Sequence, residues 1–354
     1  MKNQQLSFEG QTIFAGIDVH KKQWKVTILS ENTHCKTFSQ NPDPKLLGSY
    51  LRRNYPNAQY KTAYEAGFCG FWIHHELEKL NIKSIVVNPS DIPTTDKEKK
   101  QKEDMRDSRK IAINLRSSQL ASIYTPLVED LEDRSLVRLR FKLVQDRTRY
   151  KNRITSFLDF YGIHIPGRFE TLWTKSFIKW LESLEFNRSS GKQALAYMLG
   201  SYIDCNEQIK RTMLAIRLLS HTPKYEQNVV LLRGIPGVGL LTAMLLLTEI
   251  IDINRFGSSD QFCSFIGLIP TTNSSGENNR QGNMTKRSNK NLKTYIIEAS
   301  WVAIRKDPAM TYLFNQYCKR MEKNKAIIRI AKRLTNRIKY ILEHQKAYES
   351  GLAQ

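Results

Sequence analysis

An α/β domain with a mixed sheet, then a long helical stretch, then a mainly α C-terminal region is the architecture this sequence predicts. Three patterns carry the prediction. Short β-branched runs alternate with helical ones through residue 122. Leu136, Leu143, Tyr150 and Phe157 then recur at heptad spacing. Beyond Val229, apolar helical runs are broken by turns rich in Gly and Pro.

Residues 13–29 hold two β-rich runs, IFAGIDV and WKVTIL, separated by the polar His20-Lys21-Lys22-Gln23, a spacing that suits a hairpin. Residues 34–39 supply a third strand. A short helix over 46–53 ends at Asn54-Tyr55-Pro56, and KTAYEAG reads as a strand closed by Gly67. A helix over 71–80 and the strand SIVVNP at 84–89 follow. Residues 90–102 are polar and lysine-rich and read as a loop; a helix then covers 103–122. Three antiparallel strands followed by alternating helices and strands is the RNase H-like arrangement.

Four acids stand where such a domain would build a metal site. Asp104 and Asp107 lie three residues apart in KEDMRD, so on a helix they share a face. Asp18 sits near the end of the first apolar strand and Glu65 in the second. Two strand-borne acids with a helical pair form a set of hard oxygen donors for a divalent cation, able to clamp two ions around a phosphate. The competing reading makes Asp104 and Asp107 plain charges on a solvated helix face. The placement of Asp18 and Glu65 favours the metal site.

Pro126 marks a boundary, which divides the chain into 1–125, a helical, coiled-coil region over 126–225 and a C-terminal region over 226–354. The helix over 131–161 carries Arg134, Arg138, Lys142, Arg149, Lys151 and Arg153 on the face opposite its heptad positions. A second long helix fits 192–219, joined to the first by a Gly- and Pro-bearing turn (162–167) and a shorter aromatic helix. Arg138, Lys142, Arg149 and Arg153 read as a track for a phosphate backbone, against the alternative of a solvated face. The stretch LLRGIPGVGLLTAMLLLTEI has the form of a helix-hairpin-helix. The bare amides of Gly237 and Gly239 then suit a nucleic-acid phosphate, unless the turn merely joins packed helices.

After a short apolar helix ending at Gly267, a polar loop runs through Ser274-Ser275-Gly276 to Gly282, and Lys286-Arg287 leads into a helix over 289–303. A serine beside a glycine, flanked by Arg280, Lys286 and Arg287, is suited to attack a phosphate, with the cations stabilising the charge that develops. Most such loops are only loops, so the serine alone decides nothing. A basic helix over 319–337 packs Ile327, Ile330, Ala331 and Leu334 inward.

The 55 Lys and Arg residues against 34 Asp and Glu give a formal charge of +21, which calls for a polyanionic partner, nucleic acid first. The longest apolar run, 240–247, is too short to span a bilayer, so no membrane association is expected. The N-terminus lacks the apolar core of a signal peptide, which points to the cytosol. The five cysteines (35, 69, 205, 263, 318) have no zinc spacing and read as reduced thiols.

Taken together, these blocks resemble the DEDD-type transposases of bacterial insertion sequences, the IS one-ten family, which includes Piv-like DNA invertases. GIDVHKK resembles the first family block with its Asp, YEAG the second with its Glu, and VVNP followed by KEDMRDSRKIA the third. LRGIPGVGLLTAMLLLTEI, RFGSSDQFCSFIGLIP and SSGENNRQGNMTKRSNKNLK resemble the C-terminal transposase domain in order, so the likeness spans nearly the whole chain. It implies a RuvC-like N-terminal domain in which Asp18, Glu65, Asp104 and Asp107 hold Mg2+ or Mn2+, and a C-terminal transposase domain with Ser275 as nucleophile. It implies DNA (element ends and target) as substrate, a structured guide RNA, and homodimers or homotetramers in the bacterial cytoplasm, associated with the nucleoid. Two departures stand out. Glu103 and Ser108 replace Thr and Ala of the third block, and SGE replaces SGG, with Ser274 adjacent as the other candidate nucleophile. The function expected is a DNA transposase working through a phosphoserine link. Its rivals are a RuvC-like junction nuclease using metal-activated water and a non-catalytic nucleic-acid-binding protein.

Overall fold

Alternation of β-branched and aromatic residues builds the N-terminal sheet. A computed structural model of the chain describes residues 7–93, 104–275, 278–284 and 288–351, without the side chains of 104–106 and 270–284. It divides into two compact units, 1–127 and 128–354.

In the first unit β1 (Thr12–Val19), β2 (Trp24–Leu29) and β3 (His34–Gln40) form an antiparallel meander. Helix α1 (Pro44–Asn54) follows, its first turn capped by the Asp43 carboxylate on the Lys45 amide. Then come β4 (Gln59–Glu65), α2 (Trp72–Lys79) and β5 (Lys83–Val87), with β4 parallel to both β1 and β5. The sheet order is β3-β2-β1-β4-β5. The 90–102 segment opens with a short 3-10 turn at Pro89–Asp91, and residues 94–103 lie outside the described residues.

Helix α3 spans Asp104–Arg116, shorter than the 103–122 read from the sequence. The helix closes where the Ser118 amide donates to Leu115 and the Gln119 amide reaches back to the Asn114 carbonyl at 2.9 Å, a left-handed stop that satisfies the last carbonyls. Ser118 takes φ +56 and Ser122 bridges to Val87.

Period-two alternation gives β1 two cores. Ile13, Ala15 and Ile17 pack with Trp24 and Val26 against Leu47, Leu51, Ile73 and Leu77 of α1 and α2. Phe14 and Ala63 pack on the other face against Ile111, Ala112 and Leu115 of α3.

The second unit begins with α4 (Val128–Phe160), α5 (Lys175–Glu182) and α6 (Ser189–Ser220). Val137 shares a core with Ile216 and Ile154 shares one with Leu195, so α4 and α6 run antiparallel. Next are α7 (Glu226–Arg233), α8 (Leu240–Ile250), α9 (Ser259–Ile266), β6 (Pro270–Ser275), β7 (Asn278–Met284), α10 (Lys290–Lys306), α11 (Pro308–Cys318) and α12 (Lys323–His344). Helix α8, the longest apolar run, is buried from Thr242 to Ile250. It is a core helix, and among the described residues no helix is long and apolar enough to cross a membrane. Ile327, Ile330, Ala331 and Leu334 of α12 are buried as the sequence indicates, and that helix runs on to His344.

The polar loop expected from Ser274 to Gly282 is instead an antiparallel hairpin of β6 and β7. A ladder satisfies backbone groups whatever the side chains are, so polar strands form without the apolar alternation by which strands are recognised.

One buried carboxylate ties α8 to α4. Glu249 is 3% exposed and accepts from Arg138 Nε and Nη2 at 2.6 and 2.8 Å, while Arg134 Nε lies 3.8 Å away. An acid near a helix C-terminus opposes the helix dipole, and the two guanidinium groups offset that. Glu249→Ala is expected to cost on the order of 3 kcal/mol by leaving the arginines without their counter-ion. Urea unfolding measures it, and an unchanged midpoint would show the pair to be idle.

Asp307 anchors the C-terminal tail in the same manner. It is fully buried, caps α11 through the Ala309 amide at 2.9 Å, and accepts from Arg337 at 2.9 Å, the Gly351 amide at 3.1 Å and the Tyr348 hydroxyl. Burial alone would raise its pKa; the hydrogen bonds outweigh burial and lower it. Its contribution to stability is therefore present at neutral pH and lost as pH falls through the lowered value.

Candidate functional site

Strand parity decides which acids share a face. Phe14, Gly16 and Asp18 point to the α3 side of β1, and Ala63 and Glu65 point to the same side of β4. The parallel register pairs Ile17 with Tyr64, so Asp18 and Glu65 are the next neighbours in line, at the C-terminal ends of adjacent strands.

Gly16 lets α3 lie directly on β1. A Cβ at Gly16 would stand 2.2 Å from the Ser108 carbonyl oxygen and 2.3 Å from the Ala112 nitrogen. The Ser108 and Thr27 hydroxyls share a buried hydrogen bond of 2.9 Å at this crossing. Farther along the helix, Arg116 Nη1 donates to the Ser30 carbonyl at 3.4 Å, just past the end of β2. Helix α3 thus runs antiparallel to β1. Its first turn, which holds Asp104 and Asp107, lies toward the sheet end where Asp18 and Glu65 sit.

Asp107 and Glu65 are half-buried, and the Asp18 carboxylate is 19% exposed. Asp18 Oδ2 lies 3.0 Å from His20 Nε2. Among the described residues no group of three His, Cys, Asp or Glu side chains is placed to hold an ion, and the Asp104 side chain is outside that set. By residue type the four candidate donors are all carboxylates. That chemistry fits a hard cation such as Mg2+ or Mn2+ and no soft metal.

His20 and Thr27 were not singled out from the sequence as site residues. His20 follows Asp18 at the two-residue spacing of a strand edge, a signal visible in GIDVH; Thr27 carried none. Thr27→Val is expected to lower stability by about 1–2 kcal/mol through the lost hydrogen bond to Ser108, and Thr27→Ser by much less. Urea unfolding of the two variants checks this; equal losses would make the methyl group, not the hydroxyl, the important part.

In the second unit, Ser275 ends β6 opposite Asn278, Ser274 stands opposite Asn279, and Arg280 opposite Asn273. Their side chains, together with Gly276, Lys286 and Arg287, lie outside the described residues.

The basic track on α4 is uneven. Arg138 is paired within the protein, its guanidinium donating to Glu249 while about half of its side chain stays exposed. Arg149 pairs with Asp146 at 2.5 Å, Arg153 lies 5.1 Å from the Tyr150 ring centre, and Lys142 is exposed. The two turn glycines also part company. Gly237 takes φ +89, and a Cβ there would meet the Ala299 carbonyl oxygen of α10 at 2.4 Å, so packing alone requires glycine. Gly239 is exposed, has nothing within 4 Å of an added Cβ, and precedes α8 with no side-chain cap. It leaves helix-terminal amides open to an anion.

Comparison with known proteins gives these features a family. A DEDD-type transposase profile matches residues 15–163, and the profile of the "Transposase IS116/IS110/IS902 family" matches residues 229–315. The transposase for insertion sequence element IS1533 of Leptospira borgpetersenii is 28% identical over 68% of this chain and 70% of its own. The Sinorhizobium fredii protein y4rJ is 27% identical over 91% of this chain and 89% of its own. The y4qE protein of the same organism is 29% identical over 67% of this chain, and the match spans 57% of that protein's length. A DEDD transposase domain implies an RNase H-like fold, with which the mixed five-stranded sheet agrees. The chain belongs to the IS116/IS110/IS902 family of transposases.

Proposed function

We propose that this protein cuts and rejoins DNA at the ends of an insertion sequence through a phosphoserine intermediate. The observation that carries the reading is the parity of β1 and β4, which sets Asp18 and Glu65 on the α3 face of the sheet at the end toward which Asp104 and Asp107 lie.

In this reading Ser275 Oγ attacks a DNA phosphorus. The Oγ–P bond forms, the P–O bond to one strand end breaks, and the serine proton passes by way of solvent to the departing oxygen, which leaves as a hydroxyl. Attack by the hydroxyl of another strand reverses these bonds and frees the serine, so bond energy is conserved through the exchange. Mg2+ or Mn2+ held by Asp18, Glu65, Asp104 and Asp107 would supply Lewis acidity to the phosphate oxygens. Arg280, Lys286 and Arg287 stabilise charge on the phosphate, while Lys142, Arg149, Arg153 and the Gly239 amides hold the backbone.

The +21 charge accommodates a structured guide RNA beside the DNA. The family resemblance points to that RNA and to homodimers or homotetramers. If roughly six phosphates are neutralised, raising salt from about 50 to 200 mM should weaken binding on the order of a thousandfold.

The test is incubation of the protein with element-end DNA, total RNA and Mg2+, followed by a denaturing gel. A covalent protein–DNA adduct is expected. Cut strands without an adduct would favour the junction nuclease, and binding with neither product would favour the non-catalytic protein.

A further inference from the structure

The two family profiles leave residues 164–228 unassigned. Within that stretch the chain between α4 and α6 folds a small tip with its own core. Phe157, Phe169, Trp173, Phe177 and Trp180 pack there with Leu181 and Leu195, apart from the core of the C-terminal helices. On the surface of this tip, the turn before α5 and one face of α5 border an open groove of about 490 Å³. Arg168, Phe169, Ser176, Lys179, Trp180 and Ser183 line it. Ser176, Lys179, Trp180 and Ser183 recur at helical spacing and therefore share one face of α5.

The chemistry of this lining is specific. It contains two cations and no carboxylate, and neither Arg168 nor Lys179 has an ion pair among the described residues. The Arg168 guanidinium lies 5.1 Å from the Phe169 ring centre. The Phe169 and Trp180 rings are 5.5 Å apart with planes inclined by 45°. Both rings are half-buried, with part of each surface packed in the tip core and part open to the groove.

Cations beside open aromatic surface and hydroxyl groups match an unpaired nucleotide: base against ring or guanidinium, phosphate against the cations, sugar or base edge against the serines. A duplex keeps its base faces stacked and presents phosphates and groove edges, so the rings would have no base face to stack on. We propose that this groove binds a short unpaired stretch of nucleic acid. The inference rests on the transposase reading only in taking nucleic acid as the ligand.

Fluorescence anisotropy on the full chain tests it, using labelled oligouridylate, oligothymidylate and a duplex of equal length at several salt concentrations. The double variant Arg168→Ala/Lys179→Ala changes only exposed side chains. It should lose about tenfold in single-strand affinity, and its salt slope should fall by roughly 1.4, at about 0.7 per phosphate. Duplex affinity should hold. Trp180→Leu should weaken single strands by a similar factor without changing the salt slope.

A selective loss on oligouridylate supports an RNA source for the strand, and one on oligothymidylate supports displaced DNA. Equal losses on single strands and duplex would reduce the groove to a plain basic patch and overturn the proposal, as would no loss at all. Adduct formation with element-end DNA is a separate readout. Normal adduct yield with wild-type binding in the double variant defeats the groove alone. Absence of any adduct from the wild-type protein defeats the transposase mechanism and leaves a groove-dependent single-strand affinity standing.

Discussion

Ser275→Ala should yield no protein–DNA adduct and no strand exchange, a loss on the order of 10⁴-fold or more, since a lone nucleophile has no substitute. Nucleic-acid binding should stay close to wild type, because that affinity resides in Lys, Arg and backbone amides rather than in a neutral hydroxyl. Asp104→Asn should also end the chemistry, by removing a carboxylate from the proposed metal-binding set, and its defect should resist any increase in DNA concentration. Ser274→Ala, one ladder position away, should cost far less. Mass spectrometry of the adduct locates the linkage. An adduct on Ser274 would move the nucleophile by one residue, and cleavage by Ser275→Ala at wild-type efficiency would return the protein to the nuclease reading.

The sheet face on which Asp18 and Glu65 stand is legible in the sequence because a strand's period is two. Once TIFAGIDV and KTAYE are strands, apolar residues at Ile13, Ala15 and Ile17 fix one face and leave Asp18 to the other. What the sequence does not display is contact between distant segments. Arg138 and Glu249 are 111 residues apart, so nothing in the spacing of the basic row on α4 tells which of its members meets a buried acid. The same applies to Gly237, since nothing in GIPGVG shows that this turn lies against α10.

Ser108 shows how a departure from a family pattern is absorbed locally. The resemblance has alanine at that position, and a serine there would bury a hydroxyl. Thr27 on β2, 81 residues away, gives it a hydrogen bond, and Thr27 in turn bonds Thr37 on β3. The β6–β7 hairpin is hidden in the sequence for a different reason. Its residues are polar throughout, so nothing in their order distinguishes a ladder from a loop.

Gly16→Ala should damage both folding and chemistry in the first unit. The added methyl would lie 2.2 Å from a backbone oxygen and 2.3 Å from a backbone nitrogen of α3, closer than any Cβ approaches such atoms. No rotamer change relieves a clash with backbone, so the helix must lift from the sheet. Overpacking of this kind costs about 1–3 kcal/mol, and occasionally more. Lifting also strains the 2.9 Å bond between Thr27 and Ser108, and it shifts Asp104 and Asp107 relative to Asp18 and Glu65. A displacement of about 1 Å at reacting groups costs on the order of a hundredfold in rate. The adduct yield should therefore fall more steeply than stability alone explains, and extra Mg2+ should restore it only in part. Gly200→Ala on α6 is the matching control. Nothing lies within 4 Å of its added Cβ, so this variant should be neutral or gain about 0.5–1 kcal/mol from helix propensity. Urea unfolding and adduct yield across Mg2+ concentrations, measured on both variants, give the result. A Gly16→Ala protein with wild-type stability and wild-type yield would mean that α3 does not rest on β1, and the placement of the four acids would fall with it.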